Sequence, residues 1–351
     1  MTPWLRAILA SLRFDKPAPL ALDGEDLDRA LTFCDEQQLT LRLPLEGPAI
    51  ERRLEANRER HRRLRAIFAE IEEAFTAARI PFVVLKGFTH YPGFVGELER
   101  RAQYDLDLFS PPGSVEKARD GLLALGYEPV RGRERYPTDH LPVMLRRNAF
   151  QWRGDYFDVD IPFAVELHFR FWDERTEGFH APGANEFWER REGMRLHPAD
   201  RLGYAALHVL RHLLRGSLKA GHVYELAWFL DHQRDKFFWS EWRALHGGEL
   251  RRLESIAFRL AACWFGCASP GDAGPEAERW MERYALAPLE SHSKPNKHEI
   301  WLHLPLVPST AAKLRVLRRR LLPATLPARS TAARLLHHAR AAPAVAWHGL
   351  A

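Results

Sequence analysis

The sequence predicts an α+β fold, a small mixed β-sheet set between N-terminal helices and a C-terminal helical bundle. Three observations carry this. Apolar residues recur at three- and four-residue spacing in the first eighty positions, short β-rich runs replace them between about 81 and 175, and helical spacing returns from Pro198. At 351 residues and 46% apolar content the chain is long enough for two or three cores. We divide it into an N-terminal helical segment (1–80), a mixed core (81–175), a helical domain (176–310) and a basic helical tail (311–351).

Taken in order, Ile50, Leu54, Leu64, Phe68, Ile71 and Phe75 share one face of a helix between Pro48 and Ile80, with charge between them, which suits a platform or lid. "IPFVVLKG" is a short β-rich run ended by glycine, and "YDLDLF" alternates strictly. "GSVEKARDGLLALGY" reads as a helix opened by Ser114 and closed by Gly126. "HLPVMLRR", "AFQWRGDYFDVDI" and "FAVELHFRF" are candidate strands, with a tight turn at Gly154 and Asp155. "PADRLGYAALHVLRHLLRG", "AGHVYELAWFLDH", "WSEWRALHGG" and "ELRRLESIAFRLAACWFG" then carry helical spacing with glycine or polar breaks.

Composition narrows the function classes. Cys34, Cys263 and Cys267 offer no disulfide framework, and "MTPWLRAILASLRF" lacks a signal peptide's apolar core, so a reduced, cytoplasmic protein is expected. No apolar run approaches the roughly 20 residues of a membrane span. After Glu299 there is no acidic residue, while Lys313, Arg315, Arg318, Arg319, Arg320, Arg329, Arg334 and Arg340 are basic. Those eight charges exceed the formal +5 of the whole chain, so the rest is net acidic. The tail is either a solvated helix face or a surface for RNA, an anionic membrane or an acidic partner.

The chemistry centres on "YDLDLF". In a strand Leu106 and Leu108 enter the core while Asp105 and Asp107 emerge together, with Cα atoms roughly 6.5–7 Å apart. Their repulsion is relieved either by water or by magnesium, a hard cation held by carboxylates and nucleotide phosphates. Two such ions about 3.5–4 Å apart serve phosphoryl displacement. "VVLKGFTHY" reads as strand, tight glycine turn and helix start, so the Lys86–Gly87 turn, with Thr89 close by, is a candidate phosphate contact, and Arg101 is a candidate for a carboxylate or a triphosphate oxygen. On "FAVELHFRF", Glu166, His168 and Arg170 share a face. Glu166 is one candidate third carboxylate and Asp158 and Asp160 are its competitors. His208 and His212 have metal-ligand spacing but lack the glutamate of a zinc hydrolase, which suits buried hydrogen bonds or a cleft mouth better. Cys263 and Cys267 read as core thiols, and an aromatic near Phe171 and Trp172 is a candidate for stacking on a nucleobase.

The ordered set of "LKG" at Leu85 to Gly87, Tyr91 and Pro92, Arg101 ahead of "DLDLF", "LLALGY" ending at Tyr127 and "VELHFRF" from Val165 resembles the uncharacterised nucleotidyltransferase family of the polymerase-β-like superfamily. The "YAALHVLRH" helix and "LRVLRRRLLP" resemble that family's helical half, so the likeness spans most of residues 60–325. The resemblance implies a nucleotidyltransferase core in which Asp105, Asp107 and Glu166 are the catalytic, metal-binding carboxylates. It implies two magnesium ions, a nucleoside triphosphate with ATP foremost, and release of pyrophosphate as a nucleoside monophosphate passes to an acceptor hydroxyl. Lys86, Gly87, Thr89, Arg101 and His168 fall on the nucleotide side, with Gly87 beginning the phosphate turn. Two positions depart from the superfamily pattern: Phe88 stands where serine is usual and Tyr104 where glycine is expected. The alternatives are a toxin-type enzyme acting on tRNA or protein through the basic tail, and a non-catalytic nucleotide-binding scaffold. The acceptor stays open.

Overall fold

The computed structural model describes residues 1–130, 139–147, 150–290 and 297–321. Helices α1 (Pro3–Ser11), α2 (Gly24–Gln37) and the long α3 (Pro48–Ala77) lead into strands β1 (Val83–Val84) and β2 (Asp105–Phe109). Helix α4 (Val115–Ala124), β3 (Tyr127–Pro129), β4 (Met144–Arg146) and β5 (Ala164–His168) complete the mixed unit. The helical part follows as α5 (Glu174–Glu177), α6 (Pro198–Arg215), α7 (Ala220–His232), α8 (Lys236–Leu245), α9 (Gly248–Phe265), α10 (Pro275–Tyr284), α11 (Ala287–Glu290), α12 (Glu299–Leu306) and α13 (Thr310–Leu321). The fold is the expected α+β arrangement. Among the described residues no helix is long and apolar enough to cross a membrane.

The sheet has the order β1-β2-β5-β4-β3, with β2 and β5 parallel and the other pairs antiparallel. Alternation gives each strand two sides. Leu106, Leu108, Val165 and Leu167 point to one face and join Leu64, Ile71 and Phe75 of α3 and Ala118 and Leu122 of α4 in one apolar core. The second half of the stripe read from the α3 sequence, Leu64 to Phe75, thus lies against the sheet, while Ile50 and Leu54 pack in a separate small cluster with Leu41 and Phe157. The opposite face turns toward the bundle, where Phe109 stacks on Phe171 with ring centroids 4.1 Å apart and joins the larger core built around α6, α7 and α9.

Two expectations fail locally. Residues 150–161 form no strand. The Asp155 and Asp158 carboxylates accept hydrogen bonds from the Phe157 and Asp160 amides at 2.8 and 2.9 Å, so local side-chain turns outcompete a ladder. Ala149 lies outside the described residues. The helix expected after Lys86 is a single 3-10 turn, Gly87–His90. In the basic tail, α13 buries Ala312 and Val316 and leaves Leu314 and Arg315 exposed. Its Arg319 donates to the Thr176 carbonyl and Arg320 pairs with Glu299. Arg329, Arg334 and Arg340 lie outside the described residues.

Candidate active site

The β2–β5 pairing builds the site. In its register Asp107 stands opposite Glu166 and Phe109 opposite His168, while Asp105 faces Ala164. Two-residue periodicity then puts Asp105, Asp107, Glu166 and His168 on the face turned to α6 and α7. Of the three candidate third carboxylates, Glu166 is the one this register sets beside Asp107. Asp160 pairs with Arg63 of α3 at 3.0 Å and Asp158 is held in its turn, away from the aspartates.

Asp107 is the hub. Its Oδ2 lies 3.2 Å from the Lys86 ammonium and its Oδ1 is 3.2 Å from His168 Nε2. The same His168 nitrogen is 3.6 Å from Glu166 Oε2, and Nδ1 is bonded to Asp139 Oδ2 at 3.0 Å. Asp139 is in turn paired with Arg211 of α6. Lys86 Nζ also lies 3.8 Å from Asp105 Oδ2 and donates to His208 Nε2 at 3.1 Å. Asp107 and His168 are 1% exposed, whereas Glu166 and Asp105 are 24% and 37% exposed and form the open edge.

These neighbours set the charge states. Burial raises Asp105, the Asp107 charge adds to it, and its carboxyl is pushed up to about 6. Burial also works against ionised Asp107, but Lys86 and His168 outweigh it and hold the carboxyl well below the usual carboxylate range. Two charges about 4 Å apart interact by roughly 4 kcal/mol at a protein-like dielectric, equivalent to several pKa steps of about 1.4 kcal/mol each. Burial opposes charge on Lys86 too, yet the two aspartates raise it. For His168 burial is overcome by Tyr204 and by Asp107, Asp139 and Glu166, so the imidazole stands well above its ordinary value. His208 goes the other way: burial first, then Lys86, drive it well below, which leaves it the neutral acceptor of the lysine proton.

The glycine after Lys86 is fixed by two constraints. Gly87 has φ +79°, and a Cβ there would collide with the Gln103 side-chain amide. Thr89 is buried and gives its hydroxyl to the Lys86 carbonyl at 3.1 Å. Arg101, 4% exposed, meets Glu225 of α7 at 2.9 Å, and Glu225 also bonds His90. Neither Thr89 nor Arg101 is bonded to the strand carboxylates. Phe88 packs on Phe68 of α3, with ring centroids 4.9 Å apart, and Tyr104 donates to the Tyr156 carbonyl with Arg60 over its ring. Both departures from the superfamily pattern therefore point into packing on the α3 side. His212 and His222 cluster with His208, their rings 4.4 and 4.7 Å from it. The proposed nucleobase platform is occupied: Phe171 is covered by Phe109, and Trp172 is buried with its Nε1 bonded to the Phe179 carbonyl.

Asp107, Glu166 and His168 each offer one ligand atom, all within 4.8 Å of one another. Two carboxylates and an imidazole fit a divalent cation. Asp105 is outside this group and is linked to it through Lys86, whose ammonium lies 3.8 Å from Asp105 Oδ2 and 3.2 Å from Asp107 Oδ2. Sequence reasoning missed Asp139, Arg211 and Glu225. The one signal for Arg211 is a guanidinium between two histidines in the apolar run "LHVLRHLL", where nothing but a buried partner would keep it.

The model of a family described as uncharacterised nucleotidyltransferase matches residues 36–266, a span that contains α3, the whole sheet and α6 to α9. No curated protein and no solved structure matches the chain.

Proposed function

This chain belongs to the uncharacterised nucleotidyltransferase family, and from that premise we propose that it moves a nucleoside monophosphate from a nucleoside triphosphate, ATP foremost, to an acceptor hydroxyl and releases pyrophosphate. The observation that carries the reading is the apposition of Asp107 and Glu166 on parallel neighbouring strands, with Asp105 at the open edge of the same face. In this reading Asp107 and Glu166 would hold a divalent cation, and Asp105 would serve the magnesium that accompanies the triphosphate. The cations, when bound, neutralise charge on the phosphates.

The chain's own residues do the rest. Lys86 keeps Asp107 ionised and His208 keeps the lysine in place. Gly87 allows the backbone beside Lys86 to make its tight turn at the mouth of the site. The acceptor oxygen bonds to the α-phosphorus, the bond to the leaving pyrophosphate breaks, and the acceptor's proton leaves by the edge formed by Asp105 and Glu166. Positioning and electrostatics supply most of such a rate enhancement.

The test is thermal melting with each nucleoside triphosphate, with and without a divalent cation, since binding to the native state alone raises the midpoint. The reading expects a cation-dependent shift that Asp107→Asn abolishes. A shift indifferent to the cation, or none with any triphosphate, contradicts it.

A further inference from the structure

We propose that His168 is the third protein ligand of the cation held by Asp107 and Glu166, and that Asp139, anchored by Arg211, is the residue that aims it. The nitrogen makes this position favour a first-row ion such as Mn²⁺ over Mg²⁺. The proposal rests on the cation-site part of the reading above and deepens it.

The geometry carries the argument. Ligands about 2.1 Å from one ion stand roughly 3.0–3.5 Å apart. His168 Nε2 is 3.2 Å from Asp107 Oδ1 and 3.6 Å from Glu166 Oε2. The other ring nitrogen, Nδ1, is committed to Asp139 Oδ2 at 3.0 Å. A carboxylate only accepts, so Asp139 fixes a proton on Nδ1 and leaves Nε2 to face the two acids. Asp139 has little freedom of its own. Its backbone carbonyl accepts from the Phe169 amide at 3.0 Å, His140 beside it bridges to His168, and Arg211 holds the carboxylate that His168 uses.

A carboxylate behind a histidine is the arrangement that orients metal-bound imidazoles, and losing it commonly lowers metal affinity by about 10–100-fold. Imidazole nitrogen suits first-row transition ions, while magnesium keeps to oxygen. A cation bound here takes the place of the Nε2 proton, which passes to solvent.

The test uses the full chain loaded with Mn²⁺ alone. Pulsed electron paramagnetic resonance should show imidazole ¹⁴N coupling to the ion, replaced by ¹⁵N coupling when the protein is grown on ¹⁵N-histidine. This reading needs no variant, so it stands whether or not a substitution folds. His168→Gln should remove the coupling and narrow the Mn²⁺ over Mg²⁺ preference by at least about tenfold, and Asp139→Asn should weaken Mn²⁺ by about 10–100-fold. Manganese bound without nitrogen coupling, yet lost in Asp107→Asn, overturns the role of His168 and leaves the carboxylate site standing. No manganese bound at all overturns both. Coupling that persists in His168→Gln overturns the assignment to this residue.

Discussion

Among the described residues two buried histidines, His168 and His246, are held between carboxylates, and of these two His168 has the build of a candidate site. His246, in the bundle, meets Asp200 through Nε2 at 3.0 Å and Glu254 through Nδ1 at 2.7 Å, all three side chains being 0% exposed. Each acid there has a further partner: Arg190 on Asp200 at 2.7 Å and Trp242 Nε1 on Glu254 at 2.6 Å. The two acids lie on opposite sides of the ring, so no single ion reaches both with the nitrogen. His168 instead turns one nitrogen to two acids on the same side, and one of them, Glu166, is reachable from solvent. A buried imidazole among carboxylates therefore says little about chemistry. Convergence of donors on one point, with an open edge, is what separates a candidate site from a strut.

The largest expected effect falls on the open cluster. Asp107→Asn and Glu166→Gln should each lower nucleotide transfer by at least about a thousandfold, with the far-ultraviolet circular dichroism spectrum unchanged. Transfer at wild-type rate in either variant would erase the distinction drawn between the two histidines.

Next in size is the closed cluster. Removing one member of a buried ion pair costs about 3–5 kcal/mol, and His246→Gln should lower unfolding stability by that order in urea while leaving transfer per folded molecule unchanged. A loss of activity in the folded variant would mean that the bundle network serves the site after all.

Smaller again is Gly87→Ala, which forces φ +79° on alanine and drives a Cβ against Gln103. A cost of about 1–3 kcal/mol is expected, and Gln103→Ala in the same chain should relieve the steric part while leaving the backbone part.

The closed cluster also sets a pH dependence. Burial opposes charge on His246, but Asp200 and Glu254 lift it from its ordinary 6.5 to about 9. Its contribution to stability is complete below pH 6.5 and is lost as the pH rises through about 9. Denaturation curves across that window should show this decline in the parent chain and not in His246→Gln.

Much of this was legible in the sequence because it is local. The Leu64–Phe75 part of the α3 stripe, the alternation of "YDLDLF" and the bounds of α4 after Ser114 and before Gly126 are patterns within one element, and the structure keeps them, although Ser114 makes no side-chain cap bond. The pairing of β2 with β5 is not local, and "VELHF" and "FDVDI" were equally acceptable partners until Asp155 and Asp158 are seen folding back on their own backbone. Polar residues that serve backbone are harder still. Asn57, Arg60 and His61 of α3 are polar, yet they are buried and bond the carbonyls of Arg101, Gln103 and Ile161, holding the segments that lead into β2 and β5. Asp139 and Arg211 are 72 positions apart, and no spacing rule joins them.

The account is tested most directly by giving the protein triphosphates labelled at either the α- or the γ-phosphate, with a cell lysate as the source of acceptors. Label from the α-position should reach an acceptor in a divalent-cation-dependent manner and fail to do so with Asp107→Asn, while γ-label leaves as pyrophosphate. Transfer of γ-label to the acceptor, or α-label transfer that survives in Asp107→Asn, would contradict it.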